Sequence, residues 1–208
     1  EGVLYAHLPE APWRHLVASF GYTTGFLIVV LGRQQLFTEN TITAVLPVIG
    51  AAAFGELRRM LRLWGLVLAS NLAGTVVIAG LFAHAPLFEP EVYDAMTAVA
   101  LHFFELSAAE MFWRGVVAGW LIATMVWLLP AAETAAIWVV LLITYVIALA
   151  ELSHVIAGAV EANFLVFLGE IGPGTAVFSF LLPTLAGNIV GGSALFGVGW
   201  GIAGFCPG

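Results

Sequence analysis

The chain contains no lysine, and its six arginines stand against 13 acidic residues for a formal net charge of −7. Nucleic acid asks for a clustered basic face, so that class of partner is excluded. Charge of either sign is scarce. Charged residues make up 9% of the chain, where a soluble domain has roughly 25%. A single cysteine, Cys206, rules out an intrachain disulfide. Metal-ligand clusters and nucleophile–base pairings are missing as well, so neither an enzyme nor a cofactor is expected. Glu151-x-x-His154 has the spacing of a carboxylate–histidine metal pair, but a di-metal bundle uses two copies and only one is present. Residues 1–15 lack a basic region followed by an apolar core, so they do not form a secretory signal.

What the chain does have is apolar length. Hydrophobic residues are 62% of the total and the mean hydropathy is +1.04. A soluble fold cannot hide that much apolar surface, so a lipid bilayer is the expected solvent and an all-α polytopic membrane protein the expected fold. At about 20 residues per crossing the length allows about five spans.

Two polar interruptions organise these spans. Leu31-Gly32-Arg33-Gln34-Gln35-Leu36-Phe37-Thr38-Glu39-Asn40 separates the apolar runs Leu16 to Leu31 and Thr41 to Phe54, and Glu151-Leu152-Ser153-His154 interrupts the run from Ala135 to Leu168. Irregular polar chain at membrane depth is tolerated only when it is buried in protein or lines a watery cavity. Both are therefore expected to be pore-lining breaks in membrane helices, over residues 16–54 and 135–168. Unbroken spans are expected over 63–82, 112–129 and 175–201, with Pro130 closing the second of them. The stretch 85–111 is acidic. Within it Val92, Met96, Val99, Phe103 and Leu106 share one helical face, as expected of an external amphipathic segment. Three of the six arginines fall in Gly55 to Arg62, expected to be a cytoplasmic turn. The two broken elements then cross in opposite directions, the layout of an inverted 3+3 repeat, aquaporin-like in architecture, with its first span missing ahead of Glu1.

The three polar regions carry a resemblance. Leu36-Phe37-Thr38-Glu39-Asn40, Glu151-Leu152-Ser153-His154 and Gly187-Asn188-Ile189-Val190-Gly191-Gly192 are similar in order and spacing to the signature regions of the formate/nitrite transporter family. The run from Ala11 to Thr41 is most similar to its YfdC-like branch. The resemblance implies a homopentamer in a bacterial inner membrane, with a pore in each protomer for small monovalent anions or their neutral acids. It places Leu36 and Thr38 at one constriction with Tyr22 across from them, His154 at the centre, Ile147 at the second constriction and Asn188 in the packing of the last span. Gly119 stands where the formate channels carry an asparagine. The tail Gly197 to Gly208 also resembles a motif of the YeeE/YedE family of sulfur-compound transporters, in which Cys206 would contact thiosulfate.

Several residues keep two readings. His154 is either the titratable centre of the pore or a packed histidine bonded to Glu151 one turn earlier. Arg33 either draws anions in or neutralises Glu39 and caps a half-helix. Thr38 faces the pore or bonds its own backbone, and Glu161 is a pore-mouth, subunit-contact or catalytic group. A proton-coupled transporter competes with a passive channel, because one histidine serves either.

Overall fold

The structure is a computed structural model that describes residues 1–51 and 54–198; Cys206 and most of the glycine-rich tail lie outside the described residues. Every regular element described is helical. In chain order these are α1 (Gly2–His7), α2 (Arg14–Ala18), α3 (Phe20–Leu31), α4 (Phe37–Thr43), α5 (Leu46–Ala51), α6 (Phe54–His84), α7 (Pro90–Phe103), α8 (Ala108–Ala132), α9 (Ala136–Leu149) and α10 (Val155–Leu168). A last helical run, α11, covers residues 173–198, α-helical over Leu182–Ile189 and π-helical over Ala176–Leu181 and Val190–Val198. Four stretches are long and apolar enough to cross a membrane: Arg14–Leu31, Phe54–His84, Ala108–Leu149 and Pro173–Ala194.

The 42-residue stretch Ala108–Leu149 folds back on itself. Ile122 and Met125 of α8 share a buried cluster with Val140 and Ile147 of α9. Its reversal is the short 3-10 turn Glu133–Ala135, entered at Glu133 with a φ of 41°. Pro130 was expected to close this helix, yet α8 runs through it to Ala132. At its start, Ser107 Oγ accepts from the Glu110 N–H and the Glu110 carboxylate accepts from the Ser107 N–H. That reciprocal capping box satisfies amides a helix start would leave unpaired.

The arginine segment also differs from expectation. Residues 55–62 are the opening turns of α6, where Glu56 and Arg59 pair one turn apart. Nothing in Glu56-Leu57-Arg58-Arg59-Met60-Leu61-Arg62 breaks a helix. The charge therefore marks where the helix leaves the apolar zone and not where it stops.

Packing runs in three long pairs: α8 along α11, α6 along α10, and α3 along α9. The first is held by glycine. A Cβ on Gly119 would collide with the Asn188 backbone, on Gly187 with the Phe112 carbonyl, and on Gly191 with the Val116 carbonyl. Small residues four apart on both helices let the backbones touch, the usual basis of close helix association in lipid. This also accounts for glycine at 119, since no side chain fits there.

Two breaks built alike

Both interruptions use one device. At the end of α3, Arg33 takes a left-handed φ of 51° while its N–H donates to Val30 O (3.1 Å) and the Gln34 N–H donates to Val29 O (2.9 Å). At the end of α9, Glu151 has a φ of 50°, its N–H donates to Ala148 O (2.9 Å), and the Leu152 N–H donates to Ile147 O (2.9 Å). This is the Schellman closure normally given to glycine, as Gly169 supplies at the end of α10 with a φ of 79°. Placing Arg and Glu there costs about 1–2 kcal/mol each.

The chain then runs extended through Leu36 (φ −107°, ψ 134°) and His154 (φ −114°, ψ 122°) before the next helix begins. In each case an asparagine from another helix clamps the restart. Asn71 of α6 accepts from the Phe37 N–H (2.9 Å) and donates to Gln35 O (3.0 Å). Asn188 of α11 accepts from the Val155 N–H (2.9 Å) and donates to Ser153 O (2.9 Å) and Gly115 O (2.8 Å). Asn71 and Asn188 thus answer the backbone groups that broken helices leave without intrahelical partners.

Candidate pore site

The two breaks meet at one hydrogen bond. His154 is buried at the N-cap of α10, where its Nδ1 accepts from the Ala157 N–H (3.2 Å), and its Nε2 lies 2.7 Å from Thr38 Oγ1. A neutral imidazole whose Nδ1 accepts must carry its proton on Nε2. That N–H therefore points at Thr38. The Thr38 carbonyl accepts in turn from Thr41 Oγ1 at 2.7 Å.

Glu151 does not bond His154, contrary to the packing alternative. It is taken by other partners: Arg114 Nη1 donates to its carbonyl (3.1 Å) and to Oε2 (3.3 Å), and His102 Nε2 lies 3.3 Å from Oε2. The imidazole is thus free of a counter-carboxylate.

The surroundings of His154 are unequal. On one side the Phe26 ring meets it edge-on at 5.0 Å and 84°, and behind lies Leu36 in the cluster with Ile122, Met125 and Val140. On the other a cavity of about 380 Å³ reaches it, lined by Tyr22, Ile147, Glu151, Glu161 and Phe180 among others, with Arg14 and His15 towards the N-terminal helices. An apolar plug on one side and an open, partly polar cavity on the other is the arrangement of a gated constriction.

Of the residues singled out from sequence, Thr38, His154, Leu36, Ile147 and Tyr22 come together around this point. Tyr22 lies one turn before Phe26, and its buried hydroxyl has no partner among the described residues. Asn188 holds the break and does not line the cavity. Arg33 is exposed and forms no ion pair among the described residues, so it does not neutralise Glu39, whose buried Oε1 is likewise unpartnered there. No group of three or more metal-ligating side chains gathers among the described residues. Sequence reasoning missed Phe26, although it shares a helix face with Tyr22. Asn71 shares with Asn188 its placement along the chain, 34 residues beyond the amide it clamps against 33 for Asn188.

Residues 2–201 match the family profile described as formate/nitrite transporter. The chain belongs to this family. It is 43% identical over 196 residues to the Inner membrane protein YfdC of Escherichia coli, a match covering 94% of this chain and 63% of that protein. The chain thus spans somewhat under two thirds of that relative's length. Among solved structures it resembles a pentameric formate channel with formate bound, at a TM-score of 0.82 and 18% identity over 97% of this chain and 88% of that one. A second, an FNT family ion channel, gives a TM-score of 0.80 at 21% identity, covering 97% and 83%. At such identities the likeness concerns the fold: an all-helical membrane protein with two broken helices. The chain thus carries the profile of the formate/nitrite transporter family and the fold of solved channels.

Proposed function

We propose that the protein passes small monovalent weak-acid anions of the formate or nitrite kind, or their neutral acids, through a pore in each protomer of a homopentamer in a bacterial inner membrane. The observation that carries this reading is the Thr38–His154 hydrogen bond joining the two breaks. A bare anion entering a dry apolar constriction loses hydration worth on the order of several kcal/mol. A fixed N–H donor that keeps its proton reduces that cost, and the neutral imidazole of His154 presents one at Nε2. His154 Nε2 suits the role: its hydrogen bond goes to a hydroxyl that an arriving anion can replace, while Nδ1 stays engaged with the helix cap. Tyr22 and Ile147 line the approach, and Phe26 and Leu36 form the barrier behind the imidazole.

The test is anion-gradient flux in proteoliposomes of the full-length protein, with formate, nitrite and thiosulfate at two pH values. Formate or nitrite flux lost in His154→Ala but kept in Cys206→Ala supports the reading. Unchanged flux and pH dependence in His154→Ala overturns it, and thiosulfate flux lost only in Cys206→Ala assigns a sulfur-compound substrate instead. Voltage-dependent flux without proton cotransport marks a channel; coupled proton movement marks a transporter.

A further inference from the structure

Glu161 stands on α10 seven residues beyond His154, two turns along the same helix face and about 10 Å away along its axis. Both side chains line the 380 Å³ cavity, and Glu161 and Tyr22 also line an adjoining one of about 210 Å³. Glu161 makes no hydrogen bond or ion pair among the described residues. The Tyr22 hydroxyl beside the same space is buried and unpartnered there.

The other ionisable groups facing this space are Glu1 ahead of α1, Tyr5 of α1, Arg14 and His15 of α2, His102 of α7, and Glu151 of the second break. The cations among them are Arg14, which donates to the Tyr5 carbonyl, and the Glu1 amino group, which faces Glu161 through space without a hydrogen bond to it; Glu151 is held by Arg114 and His102. The elements packed on α10 from its other sides bring Thr75 to Asn163 and the ring of Phe180 to the cavity wall, and neither is charged. A carboxyl group is thus aimed, with no ion pair or hydrogen bond among the described residues, into the space an anion must cross to reach His154. As a fixed negative charge it would repel the permeant. As a carboxylic acid it would offer a proton at the point where the anion loses water.

Resting on the function proposed above, we propose that Glu161 is a proton-handing residue of the pore, with the Tyr22 hydroxyl facing the same space. The O–H bond of the Glu161 acid breaks as an O–H bond forms on the oxygen of the entering weak-acid anion. The electron pair stays on the Glu161 carboxylate, and the permeant moves towards His154 as the neutral acid. Hydronium from the aqueous end of the cavity then restores the acid. His154 and Glu161 therefore act in series, Glu161 discharging the anion and His154 carrying the polar neutral acid through the constriction.

The test uses the full-length protein in proteoliposomes, comparing wild type with Glu161→Gln, Glu161→Asp and His154→Ala. The expected result is that Glu161→Gln lowers formate flux at least tenfold and flattens its dependence on external pH, while Glu161→Asp restores a pH-dependent flux with its midpoint moved. A Glu161→Gln variant with the wild-type pH profile overturns the proposal. A second readout does not depend on flux. Dicyclohexylcarbodiimide, which attacks protonated carboxyl groups in apolar surroundings, should modify Glu161 in the wild type, and saturating formate should slow that modification at least threefold. Absence of modification at Glu161, read by peptide mass, or modification indifferent to formate, overturns the proposal even if His154→Ala abolishes flux and the pore reading stands. Formate-protected labelling of Glu161 with flux unaffected by His154→Ala would instead leave the proton site in place and remove the central role of the histidine.

Discussion

Replacing Asn188 by alanine removes three hydrogen bonds at once: the one from the Val155 N–H and those to Ser153 O and Gly115 O, at 2.8 to 2.9 Å around a fully buried side chain. Each bond contributes about 1 kcal/mol net, and a buried backbone group left without a partner costs about 1–3 kcal/mol. The Val155 N–H has no intrahelical alternative because it opens α10, so the total is about 3–5 kcal/mol. Asn71→Ala removes two bonds at a site that is not buried, where water can replace part of the loss; about 1–2 kcal/mol is expected. Chemical unfolding in mixed micelles, followed by helix content, should rank wild type above Asn71→Ala and Asn71→Ala above Asn188→Ala, and Asn188→Ala should also lose anion flux because His154 directly precedes the clamped residue. Equal unfolding midpoints for Asn188→Ala and wild type would refute the assignment of Asn188 as the clamp of the second break.

Other variants probe separate parts of the account. Gly191→Ala should prevent close packing of α8 on α11, since its Cβ would collide with the Val116 carbonyl, and should abolish recovery of folded protein from membranes, whereas Gly25→Ala, open on all sides, should be recovered like wild type. Arg33→Gly should raise the unfolding midpoint by the equivalent of about 1 kcal/mol by relieving a left-handed residue that makes no ion pair among the described residues; a tenfold loss of flux would instead give Arg33 an electrostatic role in the pore. Ser107→Ala removes the cap of α8 and should cost about 1 kcal/mol in the same unfolding assay without altering the pH profile of flux.

The breaks were legible because polar residues inside long apolar runs have few physical excuses, and His154 was legible because it closes one of them. The residues that hold the breaks were harder to see. A lone asparagine in a span, such as Asn71, has the same sequence appearance whether it faces lipid-packed neighbours or clamps a distant amide, and only the fold brings Phe37 to it. Phe26 was hidden by ordinary composition, one aromatic in an apolar helix, until the imidazole it edges was placed beside it. The arginines of α6 misled for a different reason: charge marks the edge of the apolar zone, and a helix of good helix formers continues past that edge. Resemblance to the family supplied Thr38 at a constriction and His154 at the centre; that the two bond each other across 116 residues of sequence is visible only in the fold.

The central claim is that Thr38 and His154 act as one unit where the two breaks meet. Formate flux through wild type, Thr38→Val, His154→Ala and the double variant, measured in proteoliposomes under one gradient, tests it directly. If the pair is a unit, each single variant loses most of the flux and the double variant is little worse than His154→Ala. Losses that multiply in the double variant, or a Thr38→Val variant with wild-type flux, would contradict the account.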